Sequence, residues 1–190
     1  MFGDPVNHNE IFSHKKVHEF TDVVSGGTPN RSETMYWEGG TIPWVKTTEL
    51  KNKFVNKTDE YITQEGLDNS AAKIVPPDTI LIAMYGQGKT RGMTAYLQVE
   101  AATNQACACI LPNNEVNTIY LWHYFIMSYE HLRNLAKGGN QPNLNVKMIK
   151  NYQVVVPPLD LQNQFADFVA QVDKSKFMGC NRYRIIKQPL

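Results

Sequence analysis

The run Gly86-Gln87-Gly88-Lys89-Thr90-Arg91-Gly92 sets an amide, an ammonium, a hydroxyl and a guanidinium at the tip of a glycine-rich loop. Gly88-Lys89-Thr90 matches the end of the phosphate-loop pattern G-x-x-x-x-G-K-[ST]. The first glycine of that pattern, however, falls on Ala83. Arg91-Gly92 also breaks the helix into which a nucleotide-binding loop must open. A nucleotide-hydrolysing site on Lys89 and Thr90 is therefore the weaker reading. The same groups suit a polyanion whose base edges are also read. Arg bonds guanine, Asn and Gln bond adenine, and Lys neutralises phosphate. The chemistry points to nucleic acid.

Other segments share this character. Residues 25–37 offer Thr28, Asn30, Arg31, Ser32, Tyr36 and Trp37, and Asn104-Gln105 adds an amide pair. Residues 137–147 offer Lys137, Asn140, Gln141, Asn143, Asn145 and Lys147 without a single acid. Enzyme signals are weak by comparison. Asp59-Glu60 lies in a polar stretch and reads as solvated. His123 and His131 fall on one expected helix, where His123 adjoins the apolar face and reads as a packed histidine. The chain contains no H-E-x-x-H, no G-x-S-x-G and no Asn/Asp-Pro-Pro-aromatic tetrapeptide of an amino-methyltransferase. No metal site is expected.

These side chains need elements to hold them. The 190 residues, 42% of them hydrophobic, suffice for a globular domain with an appendage. The formal net charge of +1 excludes a general polycation, so binding of nucleic acid must rest on local placement of charge. Thr79-Ile80-Leu81-Ile82-Ala83-Met84 reads as a buried strand ahead of the glycine loop, with a hairpin-like return over 93–99. Ala106-Cys107-Ala108-Cys109-Ile110-Leu111 reads as a second strand whose alternation places both cysteines on one face, buried as small hydrophobes. Three cysteines, with Cys180, fit neither a disulfide framework nor a zinc knuckle, and reduced thiols suggest the cytoplasm.

Thr41-Ile42-Pro43-Trp44-Val45-Lys46 reads as a strand in which Pro43 implies a sheet edge or a strand start. Thr63 is expected to cap a short helix, with Glu65 in its first turn. Leu121, Trp122, Phe125, Ile126, Tyr129 and Leu132 line one face of a single helix over 118–135. Residues 152–156 read as another strand. After Pro157-Pro158, Leu161, Phe165, Phe168, Val169 and Val172 form the narrow stripe of a coiled-coil seam running to about Phe177. No signal peptide and no membrane span is expected.

Several stretches together resemble the target recognition domain of type I restriction-modification specificity subunits. They are Gly26-Gly27-Thr28-Pro29, the run from Tyr36-Trp37 through Lys46-Thr47 to Leu50, and the run from Leu81 to Gly92. Ala102-Thr103-Asn104-Gln105-Ala106-Cys107 and Gly138-Gly139-Asn140-Gln141-Pro142-Asn143-Leu144 continue the likeness. Val155-Val156-Pro157-Pro158-Leu159 with Gln162 and Gln164 is similar to the start of that family's helical spacer. The likeness covers roughly 14–178.

The resemblance implies an α/β (α+β) fold, a recognition domain with a small mixed sheet and helices followed by a C-terminal spacer helix. It suggests a leader stub over 1–14, the recognition domain over 15–156, a shortened spacer helix over 157–178 and an atypical tail over 179–190, opened by the helix breaker Gly179. It implies a non-catalytic, sequence-specific DNA-binding subunit. Its partners would be double-stranded DNA, a methyltransferase subunit using S-adenosylmethionine and an ATP-driven restriction subunit. No cofactor is expected in this chain. A complete subunit of the family carries two recognition domains, so this chain is expected to supply one and to pair with a copy of itself through the helix, or to survive as a helix-mediated interaction module. The expected base or backbone readers are Thr28, Arg31, Tyr36, Lys46, Thr47, Tyr85, Gln87, Lys89, Thr90, Arg91, Asn104, Gln141 and Asn143.

Overall fold

The computed structural model describes residues 12–86, 88–136 and 143–186, with the backbone alone described from 176 onward. The chain opens with β1 (Ser13–Lys16), a 3-10 turn, and β2 (Val23–Ser25). β3 (Ile42–Val45), β4 (Lys53–Val55) and β5 (Glu60–Ile62) follow, then α1 (Gln64–Asp68) and β6 (Ile74–Val75). Next come β7 (Ile80–Ala83), β8 (Thr94–Leu97), β9 (Ala101–Thr103) and β10 (Cys107–Ile110). α2 (Thr118–Met127), α3 (Tyr129–Leu135), α4 (Val146–Lys150), β11 (Gln153–Val156) and α5 (Leu159–Ile186) complete it.

Two mixed sheets lie at the centre. One has the order β2-β10-β7-β8-β4, antiparallel except for the β4–β8 pair. The other has the order β5-β3-β9-β6, with β3 and β9 parallel. A third, two-stranded pair joins β1 to β11. Side-chain alternation buries the five-stranded sheet on both faces. Ile80, Ile82, Ala108 and Ile110 pack with Leu121, Phe125 and Leu132 of the helical layer. Leu81, Ala83, Cys107 and Cys109 pack with Val45, Leu97 and Ala101 between the two sheets. This double burial explains the unbroken apolar run at 80–84. It also places both cysteines, free and buried, on one face as their spacing implies.

Three expectations are corrected. The helix expected over 118–135 is two helices, because the backbone leaves the helical conformation at Ser128, with ψ of 7°, between α2 and α3. Serine has only modest helix propensity, and the Ser128 hydroxyl makes no cap bond here. The turn still brings Leu132 into the core shared with Phe125. Of the two places that Pro43 allows, the structure takes the strand start: it is the second residue of β3, which lies between β5 and β9. It is tolerated near the strand start because the β9 pairing begins only at Trp44. The spacer helix does not stop near Phe177, and its backbone continues through Gly179 to Ile186. One interior glycine costs only about 1 kcal/mol relative to alanine, too little to end a long helix. Ser13 and His14, assigned to the leader by sequence, belong to β1 and pair with Val156 and Val155.

α5 is anchored at its first turns. Gln162, fully buried, accepts from the Asn117 N–H at 2.8 Å and donates to the Pro157 carbonyl at 2.7 Å. Asn117 in turn caps α2, accepting from the N–H groups of Ile119 and Tyr120, and donates to Asn163 at 2.9 Å. Phe165 completes the dock, edge-on to the rings of Tyr120 and His123. Among the described residues no helix is long and apolar enough to cross a membrane.

Candidate nucleic-acid interface

The strand directions bring distant loops to one end of the two sheets. β2 leaves the five-stranded sheet at Ser25, β7 leaves it at Ala83, and β10 enters it at Cys107. The pairs Ser25–Ala108 and Ala83–Cys107 place these three points side by side. In the second sheet, β3 ends at Val45 opposite Thr103, the last residue of β9. The segments 26–37, 84–92, 104–106 and 46–49 therefore meet at this end. Cross-bonds tie them together: Met84 N–H to Ala106 O at 2.8 Å, Asn104 N–H to Val45 O at 3.0 Å, and Gly27 N–H to Thr103 O at 2.9 Å. The segment at 143–144 joins through Leu144 N–H to Met84 O at 3.0 Å.

Within this end, Arg31, Lys46 and Glu60 form one ionic group. Glu60 receives Arg31 Nη1 at 2.5 Å on one carboxylate oxygen and Lys46 Nζ at 2.6 Å on the other. The Arg31 guanidinium also lies 3.7 Å from the Trp37 ring centroid and 4.7 Å from that of Trp44. The two indoles meet edge to face at 5.1 Å. Their N–H groups donate to the carbonyls of Asn30 and Gly27, at 3.1 and 3.0 Å. Partial burial pushes the Glu60 carboxyl up, but the bonds from Lys46 and Arg31 outweigh it and hold the group below its ordinary value. The bond to Glu60 raises the Lys46 ammonium. Glu60, read from sequence as solvated, is thus the counter-ion of two expected readers. The sequence separations of 29 and 14 residues carried no signal of it.

The remaining expected readers take varied places. Thr28 donates to Gln105 through its hydroxyl. Tyr36 is half-buried, and its carbonyl accepts the Thr63 N–H. Thr47 is 8% exposed, while Thr48 beside it is open to solvent. Tyr85 and Lys89 are exposed, and Thr90, Arg91, Asn104 and Asn143 are half-buried. The buried Arg91 Nε and Asn104 Oδ1 have no hydrogen-bond partner. Gln87 and Gln141 lie outside the described residues.

The loop after β7 does not open into a helix. Met93 N–H bonds Thr90 O at 2.9 Å and the chain turns directly into β8. Gly86, Gly88 and Gly92 have φ of 144°, 58° and 85°, values costly for other residues. The helix N-terminus that a phosphate loop requires is thus missing after Lys89, which removes the nucleotide-hydrolysing reading. Among the described residues no three His, Cys, Asp or Glu are grouped to hold a metal ion. His123 is packed as expected, against Trp122 and Phe165, and His131 Nδ1 lies 2.8 Å from the Tyr152 hydroxyl. Sequence reasoning missed the Trp37–Trp44 clamp on Arg31. It also missed Tyr129 and Arg133, whose one-turn spacing on an expected helix was the only signal.

A family model described as the type I restriction modification DNA specificity domain matches residues 9–183. The specificity subunit of the Escherichia coli type I restriction enzyme EcoR124I/EcoR124II is 24% identical over 162 residues, covering 84% of this chain and 40% of the relative. The specificity subunit of the type I restriction enzyme MjaIX of Methanocaldococcus jannaschii is 27% identical over 165 residues, covering 84% and 37%. The chain thus spans about two fifths of the length of these curated relatives. The crystal structure of the HsdS subunit from Thermoanaerobacter tengcongensis superposes with a TM-score of 0.64 at 17% identity, covering 90% of this chain and 39% of that one. At that identity the likeness establishes the fold.

Proposed function

From the premise that the chain belongs to the type I restriction modification DNA specificity domain family, we propose that it reads a DNA sequence for a restriction-modification system. The observation that carries this reading is the convergence of four polar segments, two of them rich in glycine, at one end of the two sheets. Lys89 is an exposed cation suited to phosphate. Arg91 and Asn104 are half-buried at this end, a guanidinium and an amide of the kinds that bond base edges. Arg31 and Lys46 reach DNA only by sharing or leaving Glu60. In this reading the chain itself has no catalytic residue and no cofactor. Adenine methylation with S-adenosylmethionine and ATP-dependent restriction belong to partner subunits in the cytoplasm.

α5 supplies the link to those partners. Phe165 packs against the core, but Phe168 is 57% exposed and Leu161, Val169 and Val172 are half-open. Residues 161, 165, 168 and 172 follow coiled-coil spacing, so the stripe suits pairing with a second helix, including that of another copy. The test is selection from a randomised duplex pool by the purified chain at low salt. Enrichment of a discrete sequence supports the reading. Absence of binding to every duplex overturns it and leaves α5 as a protein-docking helix.

A further inference from the structure

The loop after β7 is held from behind by side chains of α3, none of them an expected reader. Tyr129 Oη donates to the Lys89 carbonyl at 2.7 Å, and Arg133 Nη1 donates to the Arg91 carbonyl at 2.8 Å. The Arg133 guanidinium lies 5.2 Å from the Tyr129 ring centroid, so the two donors brace each other. Gly92 sits against both: a Cβ there would stand 3.3 Å from Arg133 Cγ and 3.4 Å from Tyr129 Cδ2. Gly86 is closed by Thr90, whose Cβ would be 2.6 Å from an added Cβ.

A loop with three glycines at positive φ has wide conformational freedom unless something outside restrains it. Bonding the carbonyls of Lys89 and Arg91 fixes the 89–90 and 91–92 peptide planes, and the bond from Met93 N–H to Thr90 O at 2.9 Å holds the plane between them. That sets the directions in which the side chains at 89–91 leave the backbone. Base-edge bonds demand such directional precision, whereas phosphate attraction tolerates displacement.

We propose that Tyr129 and Arg133 are positioning residues for sequence discrimination, preorganising the 88–92 loop so that little ordering remains to be done when DNA binds. The proposal rests on the reading of this end of the sheets as the DNA-reading surface. A loosened loop adapts to wrong bases, so discrimination falls while general affinity persists.

The test uses the full chain and a duplex selected by it from a randomised pool, with a scrambled duplex of the same composition. Tyr129→Phe removes the hydroxyl and keeps the ring against Gly92. Tyr96→Phe is the control, because it removes a hydroxyl bonded to Asp78 at 2.9 Å at the opposite end of the same sheet. Tyr129→Phe is expected to lower the affinity ratio between selected and scrambled duplex about 3- to 10-fold, the worth of one hydrogen bond. Its affinity for the scrambled duplex and its salt dependence stay those of the wild type. Arg133→Met lowers the same ratio, since the lost charge weakens both duplexes alike and cancels. A wild-type ratio in Tyr129→Phe overturns the proposal, and so does an equal loss in Tyr96→Phe. A wild-type chain with no preference among duplexes overturns the underlying DNA reading instead.

Discussion

Replacing Gln162 by leucine should loosen the junction between α5 and the domain by a calculable amount. Leucine has nearly the volume of glutamine, so the change leaves no large cavity and acts through hydrogen bonds. Gln162 is fully buried and makes two of them, from Asn117 N–H at 2.8 Å and to Pro157 O at 2.7 Å. Each partner left buried without a replacement costs about 1–3 kcal/mol, the lost bond included. Partial hydration of half-buried Asn117 lowers the total. The expected loss is then about 2–4 kcal/mol, a large share of the roughly 5–15 kcal/mol that stabilises a domain. The assay is urea unfolding followed by tryptophan fluorescence. Exposed Gln164→Leu on the same helix serves as the control and should stay within about 0.5 kcal/mol of the wild type. A Gln162→Leu loss below about 1 kcal/mol, or one equal to that of Gln164→Leu, refutes the assignment of Gln162 as the anchor of α5.

Gly26→Ala should destabilise by more than about 2 kcal/mol, because its Cβ would fall 1.9 Å from the Thr103 carbonyl and force β9 to move; an unchanged thermal midpoint refutes this. Glu60 is held below its ordinary value of 4.5, so its ion pairs with Lys46 and Arg31 contribute stability that is complete above that pH and is lost as pH falls through the depressed folded value. The stability difference between wild type and Glu60→Gln should accordingly shrink as urea unfolding is repeated from pH 7 down to pH 3, and parallel curves would contradict it. Burial pushes the Cys109 thiol up to about 11 and raises that of Cys107 as well. In a Cys180→Ser background, neither thiol should react with a disulfide reagent at pH 8 until denaturant is added. Stoichiometric labelling of the native chain would show that the space between the sheets is open.

Elements with a strong local signal were legible in the sequence. The apolar run at 80–84, the cysteine alternation and the helical stripe from Leu121 to Phe125 became β7, β10 and α2. Thr63 caps its helix as expected, accepting the Gly66 N–H at 3.0 Å. Periodicity and capping act over one or two turns, so they survive in the sequence alone. The strands β4, β5, β6 and β9 were not legible. Each has two or three residues, too few for an alternation to register, and each exists because a partner strand completes it.

The candidate site divides along the same line. Residue character was readable by itself: glycine loops, amides and isolated cations announce a surface for a polyanion, and the order of the motifs announces the family. Tertiary structure alone decided which of those residues are engaged. It set Glu60 between Arg31 and Lys46, closed the two indoles on Arg31, buried Thr47, and placed Tyr129 and Arg133 behind the glycine loop. The ion pairs and the bonds from α3 join residues 14 to 42 positions apart. They depend on strand order and direction, which no local pattern encodes, and they form because both sheets turn their loops toward the same end.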